Sequence, residues 1–271
     1  MYTKRKQNKQ KGRFDMKNIV IITGASSGMG MEFAKQLDKK LKFVDEFWLV
    51  ARRKERLEKL DFLLHHKCRL FDVDLMKPED VKRIEEALNG NKQYRIRMLI
   101  NCAGFGLVGN FMELEKKEQL EMIDLNCKAL TEMTYICLPH MDRKSRIIQL
   151  GSVSAFLPQQ SFAIYAASKS YVLSFSRALN EELKDLDITV TAVCPGPVDT
   201  EFFETAEKNG NTMEIKKLFL VQADRVVSDA IFASQMKWSL SLCSVPMVLF
   251  IGLTKFLPHG LILKATNLFY K

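Results

Sequence analysis

Short runs of β-branched and aromatic residues alternate along the chain with longer stretches in which apolar positions recur every three or four residues. The runs at Ile19 to Thr23, Phe47 to Ala51, Arg69 to Asp72, Met98 to Asn101, Arg146 to Ser152 and Thr189 to Cys194 predict six strands. Helical periods occupy about 29–41, 53–65, 78–89, 113–139, 162–186 and 223–237. Strands that alternate with helices call for a parallel sheet covered on both faces, and right-handed crossovers then make the fold α/β and doubly wound. A last run, Ser239 to Val245, supplies a seventh strand, so the sheet is expected to be mostly parallel and seven-stranded. Pro195 and Pro197 close the sixth strand, and the weak periodicity of residues 198–223 predicts a mobile segment near the site.

At 271 residues, 47% of them hydrophobic and 18 of them Phe, the chain has material for one large core and is not disordered as a whole. The net charge of +9 raises nucleic acid as a partner, but Lys4, Arg5, Lys6, Lys9, Lys11 and Arg13 against Asp15 concentrate it in the first fifteen residues. The chain therefore divides into a basic tail, 1–15, expected to be disordered, a catalytic unit, 16–237, and a C-terminal extension, 238–271, expected to pack on that unit as a strand and a helix. Met16, at the boundary, is a candidate natural start. The tail lacks the apolar stretch of a signal peptide. The six cysteines have no paired spacing and His65–His66 lies in a stretch read as surface, so neither a disulfide framework nor a metal is predicted; a reducing cytoplasm fits. Residues 238 to 254 carry no formal charge, but Pro246 and the hydroxyl residues in that run argue against a membrane span, which needs about twenty predominantly apolar residues.

The first strand runs into Thr23-Gly24-Ala25-Ser26-Ser27-Gly28-Met29-Gly30, a glycine-rich turn that opens a helix. Such a turn lets backbone approach a pyrophosphate at the positive end of the helix dipole. Gly104, Gly106 and Gly109 match G-x-G-x-x-G literally but have no helix directly after them, and read as a turn bordering the site. The second strand ends in Arg52 and Arg53, where a fold that binds NAD would place a carboxylate for the ribose; two guanidiniums favour the 2′-phosphate of NADP. Ser152 ends the fifth strand, and Tyr165 and Lys169 are four apart on one helix face. A lysine ammonium there is expected to lower the tyrosine pKa from its usual value of about 10 and to hold ribose hydroxyls. Ser152 would then hydrogen-bond a substrate oxygen while Tyr165 exchanges its proton.

Taken together, these motifs resemble the short-chain dehydrogenase/reductase family, in its single-domain form with an Asn-Ser-Tyr-Lys tetrad, over roughly residues 18 to 237. The resemblance implies a Rossmann-type fold in which Gly24, Ser26, Ser27, Gly28, Met29 and Gly30 form the phosphate loop. It implies that Asp74 and Leu75 lie near the adenine, and that Asn101, Ala103 and Gly104 belong to the family's N-N-A-G turn. Cys102 replaces the second Asn of that turn, a departure expected to loosen one sheet-stabilising hydrogen bond. It further implies that Asn126 bends its helix and supports a proton relay to the lysine, that Ser152, Tyr165 and Lys169 complete the tetrad, and that Pro195, Gly196, Val198 and Thr200 bind the nicotinamide. The C-terminal section departs from the common pattern and is more similar to branches that act on long-chain or otherwise apolar carbonyl compounds.

The expected activity is an NADP(H)-dependent interconversion of a ketone and a secondary alcohol on an apolar, acyl-chain or steroid-like substrate. Phe105, Phe156, Leu157, Phe162, Phe202 and Phe203 are the candidate lining residues. Two other readings are a non-catalytic NADP-binding regulator, which predicts a broken tetrad, and a peripheral membrane-surface reductase. The partners expected are the small carbonyl or alcohol substrate, no nucleic acid, and a second copy of the chain, since the resemblance implies a homodimer or homotetramer through the helices after strands four and five.

Overall fold

The computed structural model describes residues 16–90, 93–208 and 220–243, with residues 248, 251, 252 and 260 beyond them. The basic tail and most of the C-terminal extension lie outside the described residues. Seven strands, β1 Lys17–Thr23, β2 Glu46–Ala51, β3 Lys67–Asp72, β4 Tyr94–Asn101, β5 Arg146–Leu150, β6 Thr189–Val193 and β7 Leu240–Ser241, form one sheet. Their order is β3-β2-β1-β4-β5-β6-β7, and every pairing is parallel. Of the strand expected at 239–245, only Leu240–Ser241 pairs with β6 among the described residues.

Among the described residues up to 243, the α-helices are α1 Gly28–Lys40, α2 Lys54–Leu63, α3 Pro78–Asn89, α4 Lys116–Ile123, α5 Leu130–Cys137, α6 Ala163–Glu182, α7 Phe202–Ala206 and α8 Ala223–Gln235. Alternation along β1 and β2 explains the two layers. Val20, Ile22, Phe47 and Leu49 pack with Phe33 and Leu37 of α1 and Val227 and Ile231 of α8. Ile19, Ile21, Trp48 and Val50 face the other way, onto Val81 and Ile84 of α3 and Met133 and Ile136 of α5. Both faces of β1 and β2 are thus withdrawn from water, at about 1.5–3 kcal/mol per large apolar side chain buried.

Three details depart from the pattern read along the chain. The helix expected over 113–139 starts at Lys116, because residues 110–114 form a turn whose Phe111 and Leu114 carbonyls accept from Gln119 Nε2 at 2.9 and 3.0 Å. It is also interrupted: Asp124–Ala129 is a π-helical segment joining α4 to α5. The weakly periodic segment 198–223 contains α7 and a parallel bridge, Val198 to Val221; residues 209–219 of it lie outside the described residues. Finally, His65 and His66 are not both surface groups. Their Nδ1 atoms and main-chain N–H groups all bond the buried Asp38 carboxylate, at 2.7 to 3.0 Å, and only His65 is exposed. This clamp joins the end of α1 to the entry of β3, and its four hydrogen bonds hold the Asp38 carboxyl well below the usual carboxylate range against the opposing effect of burial.

All six cysteines are free thiols. No helix among the described residues is long and apolar enough to cross a membrane.

Candidate active site

β1 and β4 are neighbours whose following crossovers leave to opposite faces, so their carboxyl ends border a crevice. A cavity of about 890 Å³ opens there. The two walls are tied across the crevice by Thr23, whose Oγ1 accepts from the main-chain N–H groups of Cys102 and Ala103, both at 3.1 Å.

The glycine loop forms one end of this cavity. Gly24 and Gly28 have φ values of +66° and +50°, which a side chain would strain. A Cβ on Gly30 would lie 2.7 Å from the Gly24 carbonyl carbon, so the turn closes only because side chains are missing from it. α1 then begins at Gly28 with no acidic residue in its first turn and no side-chain cap on its N-terminal N–H groups. Bare backbone donors, a positive helix end and close approach suit a pyrophosphate. Ser26, Ser27, Met29, Asp74 and Leu75 line the same end. Asp74 also turns its own loop, Oδ1 accepting from Met76 N at 3.1 Å.

The two arginines after β2 differ. Arg53 donates to Ser26 Oγ at 3.0 and 3.1 Å, to Ser27 Oγ at 2.6 Å and to Glu201 Oε2 at 3.0 Å. Arg52 also lines the cavity, is exposed, and has neither hydrogen bond nor ion pair among the described residues. Arg56 pairs with the other oxygen of Glu201. Glu201 and Arg56 belong to the site's charge balance although neither stands in a motif; they come together across 145 residues.

At the other end of the cavity stand Ser152, Tyr165 and Lys169, all buried. Ser152 caps a 3-10 turn, Val153–Phe156, with Oγ accepting from Ser154 N at 3.1 Å. Tyr165 and Lys169 share the inward face of α6 with Ala166, Val172 and Ser176. Lys169 Nζ donates to the Leu150 carbonyl at 2.8 Å and lies 5.6 Å from the Tyr165 ring centroid. Burial pulls the Lys169 ammonium down to about 8, with the neighbouring thiols of Cys102, Cys127 and Cys194 acting in the opposite sense. Burial also pushes the Tyr165 phenol above its ordinary value, against a lowering hydrogen bond with Ser152. The expected depression of the tyrosine by the ammonium is therefore reversed: desolvation of the phenolate dominates.

Asn126 lies in the π-helical segment, fully buried and outside the cavity lining. Its side chain exchanges two hydrogen bonds with the Phe105 main chain, at 3.0 and 2.9 Å, and donates to Ser168 Oγ at 3.0 Å. It thereby anchors the strand-four turn, whose Ala103, Gly104 and Phe105 face the cavity. Asn101 is a correction to the expected cofactor contacts. It does not line the cavity; its Nδ2 donates to Gln149 Oε1 at 2.9 Å and Thr134 Oγ1 at 3.2 Å, joining β4 to β5 and α5. Pro195, Gly196, Val198 and Thr200 also line the cavity, Thr200 beside Gly28, and Cys102 faces it, its thiol pushed up to about 12 by burial.

An aromatic wall surrounds Tyr165: Phe162 stacks on it at 4.2 Å between ring centroids and Phe202 packs at 5.4 Å. Phe105, Leu157 and Phe203 extend this wall, whereas Phe156 lies off the lining. Gly106 permits the packing, since a Cβ there would stand 2.7 Å from Tyr165 Cδ2. Gln159, which no motif singled out, also lines the cavity with a buried Oε1 that has no hydrogen-bond partner among the described residues.

Residues 18–211 match the family model described as short chain dehydrogenase. The chain is 32% identical over 196 residues to sulfoacetaldehyde reductase 2 of Chromohalobacter salexigens, covering 69% of this chain and 75% of that protein. It is 36% identical over 191 residues to the 11-beta-hydroxysteroid dehydrogenase of Pinus massoniana, covering 68% of this chain and 52% of the relative. Among solved structures, a short-chain dehydrogenase from Sphingobium yanoikuyae in complex with NADPH superposes with a TM-score of 0.73 at 28% identity, over 84% of this chain and 88% of the other.

Proposed function

The chain belongs to the short-chain dehydrogenase/reductase family of oxidoreductases, and from that premise we propose that it interconverts an apolar ketone and its secondary alcohol with NADP(H). The observation that carries this reading is one continuous cavity with a glycine loop and arginines at one end and Ser152, Tyr165 and Lys169 in an aromatic wall at the other. NADP(H) rather than NAD(H) is supported by Arg52 and Arg53 after β2, with Ala51 where an NAD fold places an acid. The solved relative from Sphingobium yanoikuyae holds NADPH. The aromatic lining supports an apolar substrate.

The residues that would hold the cofactor are the glycine loop and Arg52 for its phosphates, Asp74 and Leu75 for the adenine, and Lys169, Val198 and Thr200 towards the nicotinamide, which supplies or accepts the hydride. Ser152 Oγ orients the substrate oxygen. Tyr165 starts as a phenol, because burial disfavours its anion, and so is ready to donate its Oη proton to the oxygen that gains charge as the carbonyl carbon is reduced. Lys169, held by Leu150 through one N–H, has two further donors for ribose hydroxyls and for the phenolate left behind. Asn126 acts as a positioning residue, since its amide is committed to Phe105 and Ser168. The intact set of four disfavours the regulator reading.

We read residues 16–237 as the catalytic unit. The exposed Leu120, Ile123, Tyr135 and Tyr171 on α4, α5 and α6 support assembly with further copies of the chain. A panel of apolar ketones and secondary alcohols, followed by NADPH absorbance, tests the proposal. Turnover that needs NADPH and favours bulky apolar ketones is expected; equal or better use of NADH, or preference for small charged carbonyls, would overturn it.

A further inference from the structure

Glu201 immediately follows Thr200 and precedes α7. Its carboxylate bridges two guanidiniums, Oε2 accepting from Arg53 at 3.0 Å and Oε1 from Arg56. Arg53 in turn is bonded to Ser26 and Ser27 of the glycine loop. An anion of this chain thus sits on basic groups beside the end of β2, where a 2′-phosphate would be recognised, and Glu201, Arg53, Ser26 and Ser27 all face the cavity. A carboxylate bridging two arginines, one N–H from each, occupies donors that a phosphate monoester can also take, but with one negative charge in place of nearly two. Both partners of the Arg53 pair are about two-fifths exposed, so the pair is weak and replaceable. The next residue, Phe202, packs on the Tyr165 ring at 5.4 Å, and Phe203 packs on Phe202 at 5.5 Å.

We propose that Glu201 is an internal competitor for the cofactor's 2′-phosphate. It neutralises Arg53 and Arg56 in the free chain, yields them when a phosphate monoester arrives beside Arg52, and through its neighbour Phe202 transmits that exchange to the wall around Tyr165. The inference rests on the NADP reading of the site. It makes Glu201 a specificity-determining residue. An unphosphorylated dinucleotide leaves the bridge closed, whereas a phosphorylated one opens it and loosens the attachment of α7.

The probes are 2′,5′-ADP and 5′-AMP, which carry the adenosine end with and without the distinguishing phosphate and no nicotinamide. By calorimetry, Glu201→Gln is expected to tighten 2′,5′-ADP by about three- to tenfold, the range for losing one or two exposed ion pairs, and to leave 5′-AMP within about twofold. In the unsubstituted protein, hydrogen exchange over residues 201–206 is expected to rise with 2′,5′-ADP and not with 5′-AMP, a readout that does not depend on the variant folding. Equal affinity of the unsubstituted protein for the two probes would overturn the NADP reading and the competitor with it. A clear preference for 2′,5′-ADP that Glu201→Gln leaves unchanged would overturn the competitor alone. Weaker binding of both probes would show that Glu201 closes over any adenosine, and selective loss of 5′-AMP that it accepts ribose hydroxyls; either result also overturns the proposal.

Discussion

The two ends of the cavity are built by different means. The cofactor end is mostly backbone: Gly24, Gly28 and Gly30 let the chain fold onto itself, and α1 offers uncapped N–H groups. The substrate end is mostly side chains, with Phe162 and Phe202 against Tyr165 and a buried ammonium on Lys169. The glycine loop of the first end is one contiguous stretch of sequence, whereas the residues of the second come from four separate segments. Recognition by backbone tolerates few substitutions but needs little from the rest of the fold. A site made of side chains takes its chemistry from burial, which only the whole fold sets. The pKa directions at Tyr165 and Lys169 illustrate the second case, since desolvation is the leading cause of both.

Substitutions that act on one end only should separate the two. The largest effect is expected for Tyr165→Phe, which removes the proton donor; general acid–base assistance contributes about 10²–10⁴-fold, so turnover should fall by that order while NADPH affinity stays within about twofold. Retention of most of the rate in steady-state assays would break the assignment of chemistry to this end.

A pair of glycine substitutions sharpens the contrast. In Gly30→Ala the new methyl meets the Gly24 carbonyl carbon at 2.7 Å, backbone that cannot rotate away, whereas in Gly106→Ala it meets the Tyr165 and Phe162 rings. Overpacking costs roughly 1–3 kcal/mol. In urea denaturation and NADPH titration, Gly30→Ala should lose stability and cofactor affinity together. Gly106→Ala should mainly change KM and kcat for ketones, and a loss of NADPH affinity from it as great as that from Gly30→Ala would remove the distinction.

Arg52→Asp tests the cofactor end without touching the Arg53 network. Losing a charge-assisted contact is expected to weaken NADPH binding by about 1.5–3 kcal/mol, with little change for NADH. A uniform effect on both dinucleotides would place Arg52 away from the 2′-phosphate.

The smallest effect is a pH dependence at the substrate end. The unfolded chain keeps a lysine proton up to about pH 10.4, whereas the folded chain releases that of Lys169 near 8. Between those values the unfolded state binds more protons, so stability should rise with pH through this window. Relative to Lys169→Met, the unsubstituted, cofactor-free protein should gain stability from pH 7.5 to pH 9 by no more than about 1.4 kcal/mol per unit. A flat difference in urea midpoints would show that the ammonium is solvated.

Most strands and helices were legible because their signals are local. The apolar runs at Ile19 to Thr23 and Phe47 to Ala51 coincide with β1 and β2, and the turn chemistry of Gly24 to Gly30 is written in consecutive residues. The Tyr165 and Lys169 pair was legible for the same reason, being one helical turn apart. Asn101 was misplaced because its residue type suits either a ligand contact or a sheet crosslink, and only the positions of Thr134 and Gln149 decide between them. Periodicity continues through the π-helical segment and does not show it, whereas the family resemblance implies a helix bend at Asn126; what marks it in the structure is the bond from Asn126 to Phe105, 21 residues earlier. Glu201 bridging Arg53 and Arg56, and Asp38 holding His65 and His66, join positions with no periodic or motif relation.

Legible from the sequence alone are the doubly wound α/β class, the glycine loop, the basic end of β2 and the tyrosine and lysine on one helix face, because each follows from propensity or spacing within a few residues. Folding settles which arginine is tied down and which has no side-chain partner among the described residues, that Asn101 is a crosslink, and that burial pushes the Tyr165 phenol above its ordinary value. Those outcomes depend on desolvation and on partners brought together from distant segments, and neither quantity exists until the sheet and its helices have closed around the cavity.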